Sequence, residues 1–185
     1  MIKTKTKLNI KGLDRINKTQ EYLNYLQNHL LNIQKAFYLV EEKCHDLFFI
    51  YDDFKFVCLQ IEVENHDLSK FSPEEFCYYR QKYFPTTNEK LSAKKIDEDF
   101  EIAWQHHLKY NDHHWETWTS KLGNNPHVYN EYQQICCVHM VIDWIAMGMY
   151  FNNTALEYYE KNKAYIKIPV WAERLVYEIC DRVYD

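Results

Sequence analysis

The sequence predicts an all-α single-domain bundle, and three observations point there. Gly (3) and Pro (4) are scarce, so tight hairpins and glycine-rich phosphate loops have little material to form from. Hydrophobic residues make up 46% of the 185 positions, enough for one sizeable core without disulfides. Apolar residues recur at spacings of three and four through most of the chain. About six or seven helices are expected.

The segment up to residue 18 is polar and is expected to be a partly loose extension, with the helical domain covering 19–185. A first helix runs from Thr19 to about Lys43, carried by Tyr22, Leu26, His29, Ile33, Phe37 and Val40. A second covers Asp52 to Asn65; its Phe56–Val63 run also reads as a strand, and the helical surroundings decide for helix. Ser72-Pro73-Glu74-Glu75 reads as a helix start, with Ser72 as cap, Pro73 in the first turn and acids at the positive helix end. That helix ends before Pro85, and 86–95 form a polar connection. Helical periodicity returns near Asp97 and reaches at least Lys109. Gly123-Asn124-Asn125-Pro126 is a break. A long helix follows from about His127 to Tyr150, another spans Thr154 to Lys163, and a last one follows Pro169.

The formal charge of −5 argues against a duplex nucleic-acid binder, which needs a basic surface. No apolar run approaches the roughly 20 residues of a membrane span, and the start carries no apolar leader core. A cytoplasmic protein with no membrane partner is expected. None of the six cysteines forms a C-x-x-C pair, so they read as reduced thiols packed as small hydrophobes.

Four clusters carry chemistry. His29 lies on the apolar stripe of its helix, where a lone histidine is more often a hydrogen-bonded core residue than a ligand. His66-Asp67 offers a nitrogen and an oxygen to one ion, and Lys70 follows on the same turn, where an ammonium can hold an anionic oxygen. His45-Asp46 is a second such pair, set in an expected loop and read as a decoy. His106, His107, His113 and His114 place four histidines in nine residues, which core packing does not explain. If one helix runs through them, Trp104, Leu108, Asn111, Trp115 and Trp118 form its inward stripe, His107 and His114 flank it, and His106 and His113 face solvent. A break at Asn111-Asp112 would reverse that choice. Asp143 sits in an apolar run, where an ionised carboxylate needs a partner or a metal, and His139 lies one turn before it.

The order His29, His66-Asp67, His107/His114, Asp143 resembles the HD-domain superfamily of metal-dependent phosphohydrolases. His66-Asp67-Leu68-Ser69-Lys70 looks like its His-Asp-x-x-Lys variant, found in cyclic-dinucleotide phosphodiesterases. The Gly-Tyr-Pro signature of those enzymes is absent, so the resemblance does not carry their substrate over. From about Glu21 to Glu178 the chain also resembles an uncharacterised family of small bacterial and phage proteins related to HD domains. The resemblance implies one or two divalent ions (Mn, Fe, Zn, Co or Ni). His29, His66, Asp67 and Asp143 would hold the first; Asp67 would bridge to a second on His107 and His114, with His106 and His113 as the alternatives. It implies hydrolysis of a nucleotide or other small phosphoester by a metal-activated water. Asp67 and Lys70 would be the catalytic residues, and Lys70, Asn111 and Trp115 would contact the substrate. Two other classes compete: an HD-like di-iron oxygenase and a non-catalytic binding module stapled by metal. No His-Glu-x-x-His or Gly-x-Ser-x-Gly motif is present, and there is no pair of Glu-x-x-His motifs.

Overall fold

The computed structural model describes residues 10–48, 53–122 and 130–185. Among these lie eight α-helices and no strand: α1 (Lys11–Phe48), α2 (Asp53–Glu64), α3 (Phe76–Tyr83), α4 (Ala93–Tyr110), α5 (Trp115–Leu122), α6 (Glu131–Phe151), α7 (Ala155–Asn162) and α8 (Val170–Tyr184). Short 3-10 turns at Leu68–Phe71 and Glu89–Ser92 link the middle helices. The bundle is the expected one, with one helix more than the upper count. The extra helix arises because the His106–Trp118 region is two helices rather than one.

α6 is the axle. It packs against α1, α2, α5, α7 and α8. An unbroken run from Ile135 to Ile142 is buried, so this helix is apolar on every side, as a central helix must be. α6 is long and apolar enough to cross a membrane by composition, but 67% of that stretch is buried within the bundle. Its ends are set locally: the Asn130 side chain accepts from the Tyr132 amide, and Asn152 closes the helix in the left-handed region at φ 57°. The amides of Asn152 and Asn153 then both donate to the Gly148 carbonyl. A Cβ at Gly148 would meet the Asn153 carbonyl oxygen at 2.5 Å, so only glycine lets the chain fold back this closely.

Several expected boundaries move. α1 starts at Lys11, so residues expected to be loose are helical; residues 1–9 lie outside the described residues. α2 is a helix, as its surroundings suggested. α3 starts at Phe76, not at Ser72, and the Ser72 hydroxyl caps nothing. α4 starts at Ala93, within the expected connection. The break at 123–126 falls outside the described residues. Thr154 and Glu157 close a capping box at α7, and Pro169 precedes α8 as expected. All six cysteines are unpaired. A smaller core of Tyr22, Leu26, Tyr79 and Ala103 joins α1, α3 and α4 beside the main one.

Candidate metal centre

α2 ends at Glu64, and the chain turns sharply at Asp67, whose backbone is left-handed (φ 57°, ψ 18°). Such a conformation is uncommon outside glycine; aspartate is among the residues that tolerate it. The turn sends His66 and Asp67 inward together, and both are buried. His29 comes from α1 and Asp143 from α6.

These four side chains converge. His29 Nε2 lies 3.0 Å from His66 Nε2. Asp67 Oδ2 lies 3.4 Å from the first nitrogen and 3.3 Å from the second. Asp143 Oδ1 lies 3.4 and 3.6 Å from the same two nitrogens. An ion held at about 2.1 Å sets neighbouring ligands roughly 3.0 Å apart in octahedral geometry and about 3.4 Å apart in tetrahedral geometry. The spacing therefore matches the edges of a coordination shell. His66 Nδ1 is 2.9 Å from His139 Nε2, a bond that can fix the tautomer leaving His66 Nε2 with a free lone pair.

The other oxygen of Asp67 serves a second group. Asp67 Oδ1 is 3.2 Å from His107 Nε2 and 3.7 Å from His113 Nε2, and His107 Nε2 is 2.9 Å from His114 Nε2. Asp67 Oδ1 and His113 Nε2 are buried yet make no hydrogen bond. Buried polar atoms seldom stay unpartnered. Two such atoms face one spot among imidazole nitrogens, an arrangement suited to ligating a metal. The residues fit a divalent cation, and the buried His and Asp groups can hold one.

Sequence phase alone misassigned part of this set. α4 ends at Tyr110, Asn111 is extended, and α5 starts at Trp115. The break turns His113 inward to 3% exposure, whereas a continuous helix would leave it facing solvent. His106 joins neither donor group. Its Nδ1 donates to Glu75 Oε1 at 2.7 Å, while His107 Nδ1 donates to Glu75 Oε2 at 2.8 Å. Glu75 is fully buried; it fixes the His107 tautomer so that Nε2 is free to ligate. Sequence reasoning saw it only as a first-turn acid, and no local signal links it to histidines some thirty residues away. Asn111 is also corrected: it does not line the cavity but spends its amide on Ser69 Oγ (2.7 Å) and the His107 carbonyl (2.8 Å), pinning the helix break. His45-Asp46 lies in the last turns of α1, not in the expected loop, and Asp46 is paired to Arg182 on the surface.

The electrostatics follow from burial and company. Burial alone would raise the Asp67 carboxyl, but His66, Lys70 and His107 overcome this and hold it well below the usual carboxylate range. Lys70 Nζ donates to Asp67 Oδ2 at 2.5 Å. Burial favours neutral Lys70, but Asp67 outweighs it and the net shift is upward. Burial, reinforced by neighbouring histidines, pushes His113, His114 and His139 well down, so all three are neutral near pH 7. His107 moves the other way: burial would lower it, and the carboxylates of Asp67 and Glu75 raise it.

A cavity of about 390 Å³ opens on both donor groups. Besides the ligands and Lys70 it is walled by Tyr25, Tyr79, Trp104, Trp115, Trp144 and Tyr158, so Trp115 stands where a substrate contact was expected. A larger groove of about 690 Å³ between α1 and α2 is lined mostly by aliphatic and amide side chains, with Phe37, Tyr38, Phe71 and Glu64, and holds none of the candidate ligands. In comparisons with known proteins, the model of a family described as "Family of unknown function (DUF5662)" matches residues 18–182. No curated protein and no solved structure matches.

Proposed function

The chain belongs to the DUF5662 family, of unknown function, and we propose that it is a metal-dependent phosphohydrolase acting on a small phosphate ester, with an HD-type site. One observation carries this reading. A single buried carboxylate, Asp67, stands between two sets of imidazoles and offers one oxygen to each: Oδ2 to His29 and His66, Oδ1 to His107 and His113. Two-ion phosphoester hydrolysis calls for such a bridge. The ligand order is the one that resembles HD domains, here drawn from three helices and two breaks between helices.

His29, His66, Asp67 and Asp143 would hold one ion, and Asp67, His107, His113 and His114 a second, of Mn, Fe, Zn, Co or Ni type. Bound ions would supply an activated water at neutral pH and neutralise phosphate oxygens. The protein's own groups do the rest. Lys70 lines the cavity with its ammonium beside Asp67, placed to hold a phosphate oxygen as negative charge builds. Glu75 and His139 keep His107 and His66 aimed. The aromatic walls limit competing water and offer faces for an organic group. In hydrolysis a water oxygen bonds to phosphorus, the ester P–O bond breaks, and the alcohol leaves with a proton.

The test is metal analysis of protein purified without chelator, followed by phosphate release from a phosphoester panel with Mn, Fe, Zn, Co or Ni added. One or two equivalents of metal, lost in Asp67→Asn, and phosphate release abolished in Lys70→Met with metal retained, are expected. Absence of metal after reloading would overturn the reading. Oxygen uptake with iron and no phosphate release would replace it with di-iron oxygenase chemistry. Metal that raises the melting temperature without either reaction would replace it with a stapled binding module.

A further inference from the structure

The donor groups and Lys70 leave one carboxylate in the same cavity without a task. Glu116 sits in the first turn of α5 and lines the cavity. Among the described residues its carboxylate pairs with no other residue's side chain and accepts only from its own backbone amide. An acid in a first helical turn often needs no more than the helix end and water. Glu116 is different because it is only partly exposed and borders aromatic walls: Trp115 beside it on α5, Trp144 from α6 and Tyr158 from α7. The Trp144 and Tyr158 rings lie 5.3 Å apart, tilted at 58°. The Tyr158 hydroxyl is pushed up first by burial and then by the charges of Asp143 and Glu116, so this ring stands within electrostatic reach of both carboxylates. Among the described residues Lys70 is the only lysine or arginine on the cavity wall, and Asp67 already engages it.

We propose that Glu116, with the rings of Trp115, Trp144 and Tyr158, forms a subsite for an amine or quaternary ammonium group on the substrate. A carboxylate beside aromatic faces is the setting that attracts an organic cation, through charge and through the ring quadrupoles. Resting on the phosphohydrolase reading, this names the substrate class: a small phosphate ester with a cationic nitrogen at its far end. The phosphate lies at Lys70 and the donor groups, the nitrogen at Glu116.

Tryptophan emission reads the subsite directly, since Trp104, Trp115 and Trp144 line the cavity. Choline, phosphocholine and glycerol 3-phosphate are titrated into Mn-loaded protein, and choline into metal-free protein as well. Phosphocholine should bind about tenfold more tightly than glycerol 3-phosphate, in line with a partly desolvated cation–aromatic contact reinforced by a carboxylate. Glu116→Gln should bring the two esters within about twofold of each other, with the metal content unchanged. Equal affinity for the two esters in the parent, a preference that survives Glu116→Gln, or no response to choline would each overturn the subsite. Choline binding draws on neither metal nor phosphate. A Glu116-dependent choline response without phosphate release would therefore sink the hydrolase reading and uphold the subsite.

Discussion

Glu75→Gln separates the holding of a ligand from ligation itself. Glu75 is fully buried and accepts from two imidazoles, at 2.7 Å from His106 and 2.8 Å from His107. Burial alone would raise its carboxyl; the hydrogen bonds from His107 and His106 outweigh that and hold it below the usual range. Glutamine keeps the shape but presents an N–H₂ group to one of the two donors, so one bond is lost and His107 is no longer held in a single tautomer. Loss of such an orienting carboxylate weakens metal binding by about 10- to 100-fold, or roughly 1.4–2.7 kcal/mol. The loss should fall on one ion of the pair, because His29, His66 and Asp143 do not touch Glu75. Competition against a chelator of known affinity, resolving the two equivalents, is the assay. One weakened equivalent and one unchanged equivalent are expected. Unchanged affinity for both would mean that His107 Nε2 is not a ligand, and the second donor group would fall with it.

Three further outcomes are expected. Asp67→Asn keeps a residue that tolerates the left-handed backbone but removes the shared charge; both equivalents of metal should be lost with the helical circular dichroism intact, and retention of either would show that Asp67 does not bridge. Gly148→Ala places a Cβ against the Asn153 carbonyl and should destabilise the protein by roughly 1–3 kcal/mol in urea unfolding; a neutral result would mean that the loop after α6 gives way freely. Arg80 grips Glu89 through two 2.6 Å bonds, and the hydrogen bonds from Arg80, against some burial, carry the Glu89 carboxyl down to about 2. Its stabilisation is therefore complete above the ordinary carboxylate range and lost as pH falls through that range towards 2. It contributes roughly 2 kcal/mol after allowance for partial solvent exposure, and Glu89→Gln should flatten the fall in stability over that window.

The helical class and most of the site were legible because they rest on local patterns. The stripe Tyr22–Val40 made α1, the all-apolar run made α6, and the cost of a lone carboxylate in that run singled out Asp143. His113, Glu75 and Asn111 were misjudged for one shared reason. Helical phase extrapolates only while the helix lasts, and α4 ends at Tyr110, one residue before Asn111. Past that point the amide of Asn111, reaching Ser69 and the His107 carbonyl, decides which way His113 points. Ser69 lies on the turn that follows Asp67, so the partner that settles the phase is remote in sequence. Glu75 stayed hidden for the same cause: its two histidines come from another helix.

The donors sit where the chain departs from helix. Asp67 is left-handed between α2 and a 3-10 turn, and His113 and His114 occupy the gap that Asn111 opens between α4 and α5. His29 and Asp143, by contrast, stand in the middle of long helices. A single helix presents residues to one side only at fixed spacings of three and four, too coarse for seven donors around two points. Three helices, α1, α4 and α6, carry His29, His107 and Asp143, and two breaks swing the remaining donors onto them. Local strain at Asp67 and unpartnered buried atoms at Asp67 and His113 are costs that folding alone gives no reason to keep. Cations bound at the two sets, bridged by Asp67, would offset both. Stability should therefore rise with metal in the parent chain and fail to do so in Asp67→Asn, whatever reaction the cavity performs.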